Sequence, residues 1–267
     1  MKNSQNLNKK RNISHTKFME DVRKNEFWRY ISYFIIYSFV GCLLETGFGL
    51  VTKGVVESRQ SFLFGPFCTI YGIGAVLMIR FLSHSKGKWV KIFLLSCLIG
   101  TAVEFLMSYF CEMIFHFKWW DYSGMKGNLA GRTCLYFSVA WGALGVVLIQ
   151  FVNPFLDKIL KFFQTQVSHQ ILKISICLVL GFLVFDAGIS YIGLKSFYAK
   201  VVKDFDMDLK QSEYPEFSVI ENKLFEEDNM LLIYPNMQIA GTKYNNTYID
   251  SLYKNKKMYY FRLFSKK

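Results

Sequence analysis

Five apolar runs divide the chain, at 27–52, 62–82, 89–115, 133–153 and 171–194. Each is about twenty residues or longer, enough at about 1.5 Å per residue to cross a hydrocarbon layer of about 30 Å as a helix. Residues 1–26 are Asn- and Lys-rich with no apolar stretch, so no cleavable signal peptide is expected and the first run should act as an uncleaved anchor. After the fifth run, residues 195–267 turn polar and charged, with short β-prone runs such as Met230–Tyr234 and Met258–Phe264. The pattern predicts an all-α polytopic membrane protein of about five transmembrane helices, followed by a small, β-rich C-terminal extramembrane appendage.

Within the runs, small and weakly polar residues recur at helical spacing. The first carries Ser38, Gly41, Cys42, Glu45, Gly49 and Thr52; the third carries Cys97, Gly100, Thr101, Glu104, Ser108 and Cys111. Such stripes let helix backbones approach closely in lipid, where van der Waals contact rather than hydrophobic burial drives association. The second and fourth runs open alike, with Leu63-x-Gly65-Pro66-x-Cys68 and Leu129-x-Gly131-x-x-Cys134, and an aromatic-glycine step follows each, Tyr71-Gly72 and Trp141-Gly142. Gly41-x-x-x-Glu45 and Gly100-x-x-x-Glu104 precede them. A tandem duplication of a two-helix unit is the expectation, with copies at 27–82 and 89–153 forming a four-helix core and the helix at 171–194 standing outside the repeat.

Composition agrees: 52% of residues are hydrophobic, 27 are Phe and the mean hydropathy is +0.20. The net charge of +12 does not point to nucleic acid, because no DNA- or RNA-binding motif accompanies it and the basic residues sit in the tails and connections. Their distribution reads instead as membrane orientation. With the N-terminus cytoplasmic, fifteen Lys/Arg fall on the inner side of the short segments against five outside. Five crossings then place the C-terminus outside, although residues 195–267 carry twelve Lys/Arg; segments this long cross largely regardless of charge. The six cysteines lie inside apolar runs, without metal-site or disulfide-framework spacing.

Glu45 and Glu104 are the candidate functional side chains, since an ionisable group within a span is costly unless paired or wetted. Two roles fit them. Each caps or neutralises the positive N-terminal end of the next helix, or together they bind a cation, a proton or a cationic substrate group across a pseudo-twofold axis. Arg59 and Arg132, near the two Leu-x-Gly-x-x-Cys openings, are candidate ion-pair partners. Trp119-Trp120-Asp121-Tyr122-Ser123 falls where the third helix leaves the bilayer, as an interfacial belt or as substrate contacts in a vestibule. Asp186 is expected to hydrogen-bond a Ser or backbone group within the bundle. No catalytic, metal or cofactor motif is present, and no phosphate-binding loop, so the expectation is not an enzyme.

Gly41-x-x-x-Glu45, Phe62-Leu-Phe-Gly-Pro-Phe-Cys-Thr-Ile-Tyr-Gly72, Glu104, Trp120-Asp-Tyr-Ser, Asn128-Leu-x-Gly-Arg-x-Cys-Leu135 and Trp141-Gly142 together resemble the bacterial membrane proteins described as ABC-transporter type IV permeases. The resemblance spans about residues 30–150. It departs at Gln60-Ser61, where the family has Arg-Gly and this chain has its arginine at 59, and at Thr69, where the family has Pro. It implies a multi-pass protein of the bacterial cell membrane that works as the permease component of a transporter with a separate ATP-binding subunit. A minimal permease of five crossings would line a path as a homodimer. The competing reading is a non-transporting scaffold or sensor whose C-terminal segment binds a partner.

Overall fold

The computed structural model describes residues 26–209, 215–242, 244–253 and 261–262. Residues 1–25 of the basic N-terminal tail, and all but Phe261 and Arg262 of the run Met258–Phe264, lie outside them.

Four helices are long and apolar enough to cross a membrane, over Phe27–Lys53, Trp89–Phe115, Leu135–Phe163 and Gln170–Asp204. The first is helix α1 (Glu26–Lys53); a two-residue strand β1 (Val55–Val56) follows it. The second expected span differs from the pattern. Only Thr69–Leu82, helix α2, is helical, and its 14 residues span about 21 Å. Gly65 has φ +77° and precedes a proline, a pair that disfavours helix, so residues 62–68 run as an irregular lead-in despite their apolarity. Helix α3 (Trp89–Phe115) ends at strand β2 (Phe117–Lys118). Helix α4 (Leu135–Val147) passes through one π turn at Leu148–Val152 into α5 (Asn153–Gln166) without leaving the helical path.

The chain then forms α6 (His169–Asp204), 36 residues or about 54 Å. This runs past the expected end at 194 and well beyond a hydrocarbon layer of about 30 Å. Its distal third carries the C-terminal module. Leu194, Phe197, Tyr198 and Val201 form a core with Met230, Tyr234, Met237, Ile239 and Ile249, to which Leu63 and Phe117 also belong. The described part of this module is not β-rich. Met230–Tyr234 falls in and just after helix α7 (Glu227–Ile233), whose first turn holds Glu227 and Asp228 where acidic groups favour a helix start. The two strands there, β3 (Gln238–Ile239) and β4 (Phe261–Arg262), have two residues each, separated by a one-turn helix α8 (Ile249–Leu252). β3 pairs antiparallel with β2, Phe117 opposite Ile239, and β4 pairs antiparallel with β1, Val55 opposite Arg262. The module is thus stitched to the ends of α1 and α3.

α1 packs chiefly on α2, and α3 on α4. At the loop end lie the connections 54–68 and 116–134 and the C-terminal module. At the opposite, turn end, the α2–α3 turn meets the π turn, where Gly87 N–H donates to Gln150 Oε1 at 3.2 Å. There α1 also meets α5: Tyr37 donates to Asn153 Oδ1 at 3.1 Å and the Tyr33 hydroxyl donates to Asp157.

Candidate functional site

The two helix pairs meet through corresponding residues. A Cβ on Gly41 would lie 2.2 Å from Tyr71 Cβ, and one on Gly100 2.3 Å from Trp141 Cγ. A Cβ on Gly72 would lie 2.1 Å from Ser38 Oγ and 2.7 Å from Phe34 O; one on Gly142 would lie 2.4 Å from Cys97 Sγ and 2.8 Å from Phe93. The glycines therefore set the closeness of both pairs, as small residues do in lipid.

One turn beyond each of Gly41 and Gly100 stands a glutamate. Tyr71, seated on Gly41, donates its hydroxyl to Glu45 Oε1 at 2.5 Å. Glu104, 5% exposed, accepts from Thr133 Oγ1 at 2.6 Å and from the Tyr122 hydroxyl at 3.2 Å. Tyr122 stacks on Phe137 at 4.7 Å. Its phenol is pushed well above its usual range, first by burial, then by the charge of Glu104 and the bond to it, and also by the charge of Glu45. Glu104 thus bonds the Tyr122 phenol and Glu45 bonds the Tyr71 phenol. Neither carboxylate bonds a backbone N–H at a helix start among the described residues; they hold the hairpins through side-chain hydroxyls instead. Glu45 is only half-buried, and its Oε2 carries no protein partner among the described residues. That leaves acceptor capacity for a positively charged group.

The arginines do not pair with these glutamates. Arg59 Nη2 lies 2.9 Å from Glu57, packed beside Gly49, and Arg132 Nη1 lies 2.7 Å from Glu112, over the rings of Phe105 and Tyr109. Glu57 is 2% exposed and also meets Lys53 at 3.1 Å and Asn236 Nδ2 at 3.2 Å. Glu112 also lies 3.7 Å from Lys118. Sequence reasoning passed over Glu57 and Glu112 as the partners of these arginines. Thr133, whose hydroxyl completes the Glu104 site, carried no signal beyond its place before Cys134.

The aromatic loop is held by its own hydrogen bonds. Trp120 Nε1 donates to Arg132 O at 2.8 Å, Tyr122 N–H donates to Gly131 O at 2.8 Å, and Asp121 Oδ1 accepts from Ser123 N–H at 2.9 Å. Gly131, at φ +68°, has no room for a side chain, since a Cβ would lie 2.4 Å from Asp121 Oδ1. The loop folds down so that Tyr122 reaches Glu104.

The lead-in 62–68 is held from α6. Leu63 N–H donates to Ser190 Oγ at 2.7 Å, and Phe64 N–H donates to both oxygens of the fully buried Asp186, at 3.0 and 3.1 Å. Gln60 Nε2 donates to the carbonyls of Phe62 and Leu63, and Cys68 N–H donates to Ser38 O at 2.8 Å. A backbone N–H outside regular structure needs an acceptor from elsewhere in the protein, and Asp186 supplies it here as the expected bundle-facing hydrogen bond. Pro66, at the tip, is exposed.

The family described as "Putative ABC-transporter type IV" matches residues 32–191, more than half of the chain. The match takes in both glutamates, both arginines, the aromatic loop and Asp186. No curated protein and no solved structure matches the chain.

Proposed function

This chain belongs to the ABC-transporter type IV family, and from that membership and the paired glutamates we propose that it is the permease-type membrane component of a transporter, working with a separate ATP-binding subunit. The observation that carries the reading is the polar cluster of Glu45, Tyr71, Glu104 and Tyr122 at the loop end. Two acidic side chains in apolar helices, one with a spare oxygen, suit a cation or a cationic substrate group. Arg59, Arg132, Trp120 and Asp121 frame that cluster rather than bind: their own side-chain bonds hold the loops. ATP hydrolysis belongs to the partner, since the chain has no phosphate-binding loop; alone it is not an enzyme.

The matched contacts of Gly41 with Tyr71 and Gly100 with Trp141 support the tandem duplication. In this reading the segment 62–82 completes a fifth crossing as α2 plus its extended lead-in. This places the N-terminus in the cytoplasm and the C-terminus outside a bacterial cell membrane, with two copies of the chain lining the path.

The test compares cells carrying the wild-type chain, Glu45→Gln or Glu104→Gln with cells lacking it, by untargeted mass spectrometry of extracts and medium. Glutamine keeps an acceptor for the hydroxyl donors, so both variants should reach wild-type levels in the membrane while the accumulation or export signature is lost. A signature unchanged in both variants at equal abundance rejects the reading. Impermeant labelling of cysteines placed at Ser123 and Ser251 in intact cells tests the orientation, and both should label.

The folded C-terminal module favours a second reading, a scaffold or sensor that presents this module to a partner. It predicts that both glutamines are tolerated and that substitutions on the exposed face of the module remove the phenotype.

A further inference from the structure

At the turn end, away from the glutamates, a cleft of about 310 Å³ is bounded by Ser83, Lys86, Asn153, Asp157, Lys158 and Lys161. We propose that it binds the phosphate headgroup of an anionic phospholipid. The inference rests on the chain spanning a membrane and is independent of whether it transports.

Charge is the first ground. Lys53, Arg59, Lys118, Arg132 and Lys200 are each engaged with a carboxylate, whereas Lys86, Lys158 and Lys161 have no ion pair among the described residues. The one acidic group in the cleft, Asp157, accepts from the Tyr33 hydroxyl. Asn153 is occupied inside the bundle, where its Oδ1 accepts from Tyr37 and its side chain also bonds Tyr33, so the lysines are the groups left for an oxyanion. Three cations against one carboxylate leave the cleft positive, at the end of the bundle that also collects most of the basic residues of the short connections. Juxtamembrane clusters of this kind attract anionic headgroups.

The second ground is the geometry of α5. At 3.6 residues per turn it presents three faces. Leu156 and Leu160 pack inward on the bundle. Phe155 and Phe162 point outward, 65% and 62% exposed. Lys158 and Lys161 lie between these faces, on the flank that borders the cleft. A ligand seated on the lysines therefore has an apolar surface beside it, which suits acyl chains and gives nothing to a free anion. The rod from Leu135 to Gln166 is about 48 Å long against a hydrocarbon layer of about 30 Å, so α5 emerges at headgroup level.

The experiment uses the full chain purified in neutral detergent. It is offered phosphatidylglycerol or phosphatidylcholine with identical acyl chains, and the lipid retained is measured by native mass spectrometry. Wild-type protein should retain phosphatidylglycerol preferentially, and the preference should fall about five-fold for each lysine removed in Lys158→Gln and Lys161→Gln. Lys126→Gln, at the opposite end, should leave it unchanged. All three lysines are exposed, so the variants should melt with the wild type. Equal retention of the two lipids, or an equal loss in Lys126→Gln, overturns the proposal. Millimolar inorganic phosphate that binds in a lysine-dependent way without any lipid preference assigns the cleft to a free anion and overturns it as well.

Discussion

Tyr71 and Trp141 meet at the centre of the bundle, ring centroids 5.3 Å apart, and each ring is seated on a glycine of the partner helix in its own pair, Gly41 and Gly100. The contact joins the α1–α2 pair to the α3–α4 pair. It also ties the Glu45 site to the packing, because the hydroxyl of Tyr71 is the one bonded to that carboxylate.

Adding a methyl group at Gly100 should therefore be costly. A Cβ there lies 2.3 Å from Trp141 Cγ, and Gly100→Ala should destabilise by about 1–3 kcal/mol through overpacking. Thermal unfolding in detergent, run as a double-mutant cycle with Trp141→Ala, should show the penalty shrinking once the ring is gone. An additive cycle would contradict the packing assignment.

Asp186 should behave as an anchor for the lead-in. Asp186→Ala leaves the Phe64 N–H without its acceptor, at a cost of about 1–3 kcal/mol, while Asp186→Asn keeps one acceptor oxygen and should lose less. A cysteine at Pro66, exposed at the tip, should react with a soluble maleimide faster in the alanine variant than in the asparagine variant.

Glu57 binds Lys53, Arg59 and Asn236 at once, so it links the first loop to the C-terminal module. Glu57→Ala should loosen that attachment by about 2 kcal/mol. Limited proteolysis read by mass spectrometry should show cleavage in 205–253 accelerated well before cleavage between α1 and α3.

Thr133 and Tyr122 share Glu104. Thr133→Val and Tyr122→Phe should each cost about 1 kcal/mol, and the double variant should cost more than their sum, since the carboxylate is then left buried without a donor. Melting temperatures of the four proteins at one pH decide it.

What the sequence made legible were features carried by local spacing. The stripes at Ser38–Glu45 and Cys97–Glu104 lie on single helices, and their glycines and glutamates occupy the predicted faces. The length of the second helix was not legible. Hydropathy scores Phe62–Cys68 as apolar whether it is helical or extended, and only the Gly65-Pro66 step hinted that the helix begins later. Helical spacing gives no signal for contacts made within or between irregular segments, such as Arg59 with Glu57 two residues away in the same loop. Arg132 finds Glu112 on the preceding helix, and Glu57 reaches Asn236 from the far end of the chain. The run Met230–Tyr234 misled because apolar residues that pack on α6 mimic strand composition, while the acidic first turn of α7 favours helix.

The strand pairing of Val55 with Arg262 sets an order of events during synthesis. The chain emerges N-terminus first, so α1 and its following loop must wait, inserted but unfinished, until Arg262 has been made. β2 likewise waits for Ile239. Until then Leu63 and Phe117, core residues of the finished protein, have only the part of their cover that α6 supplies. A chain truncated by premature termination after α6 would keep its membrane helices yet display that uncovered surface, and quality-control proteases could tell it from the complete protein by that surface alone.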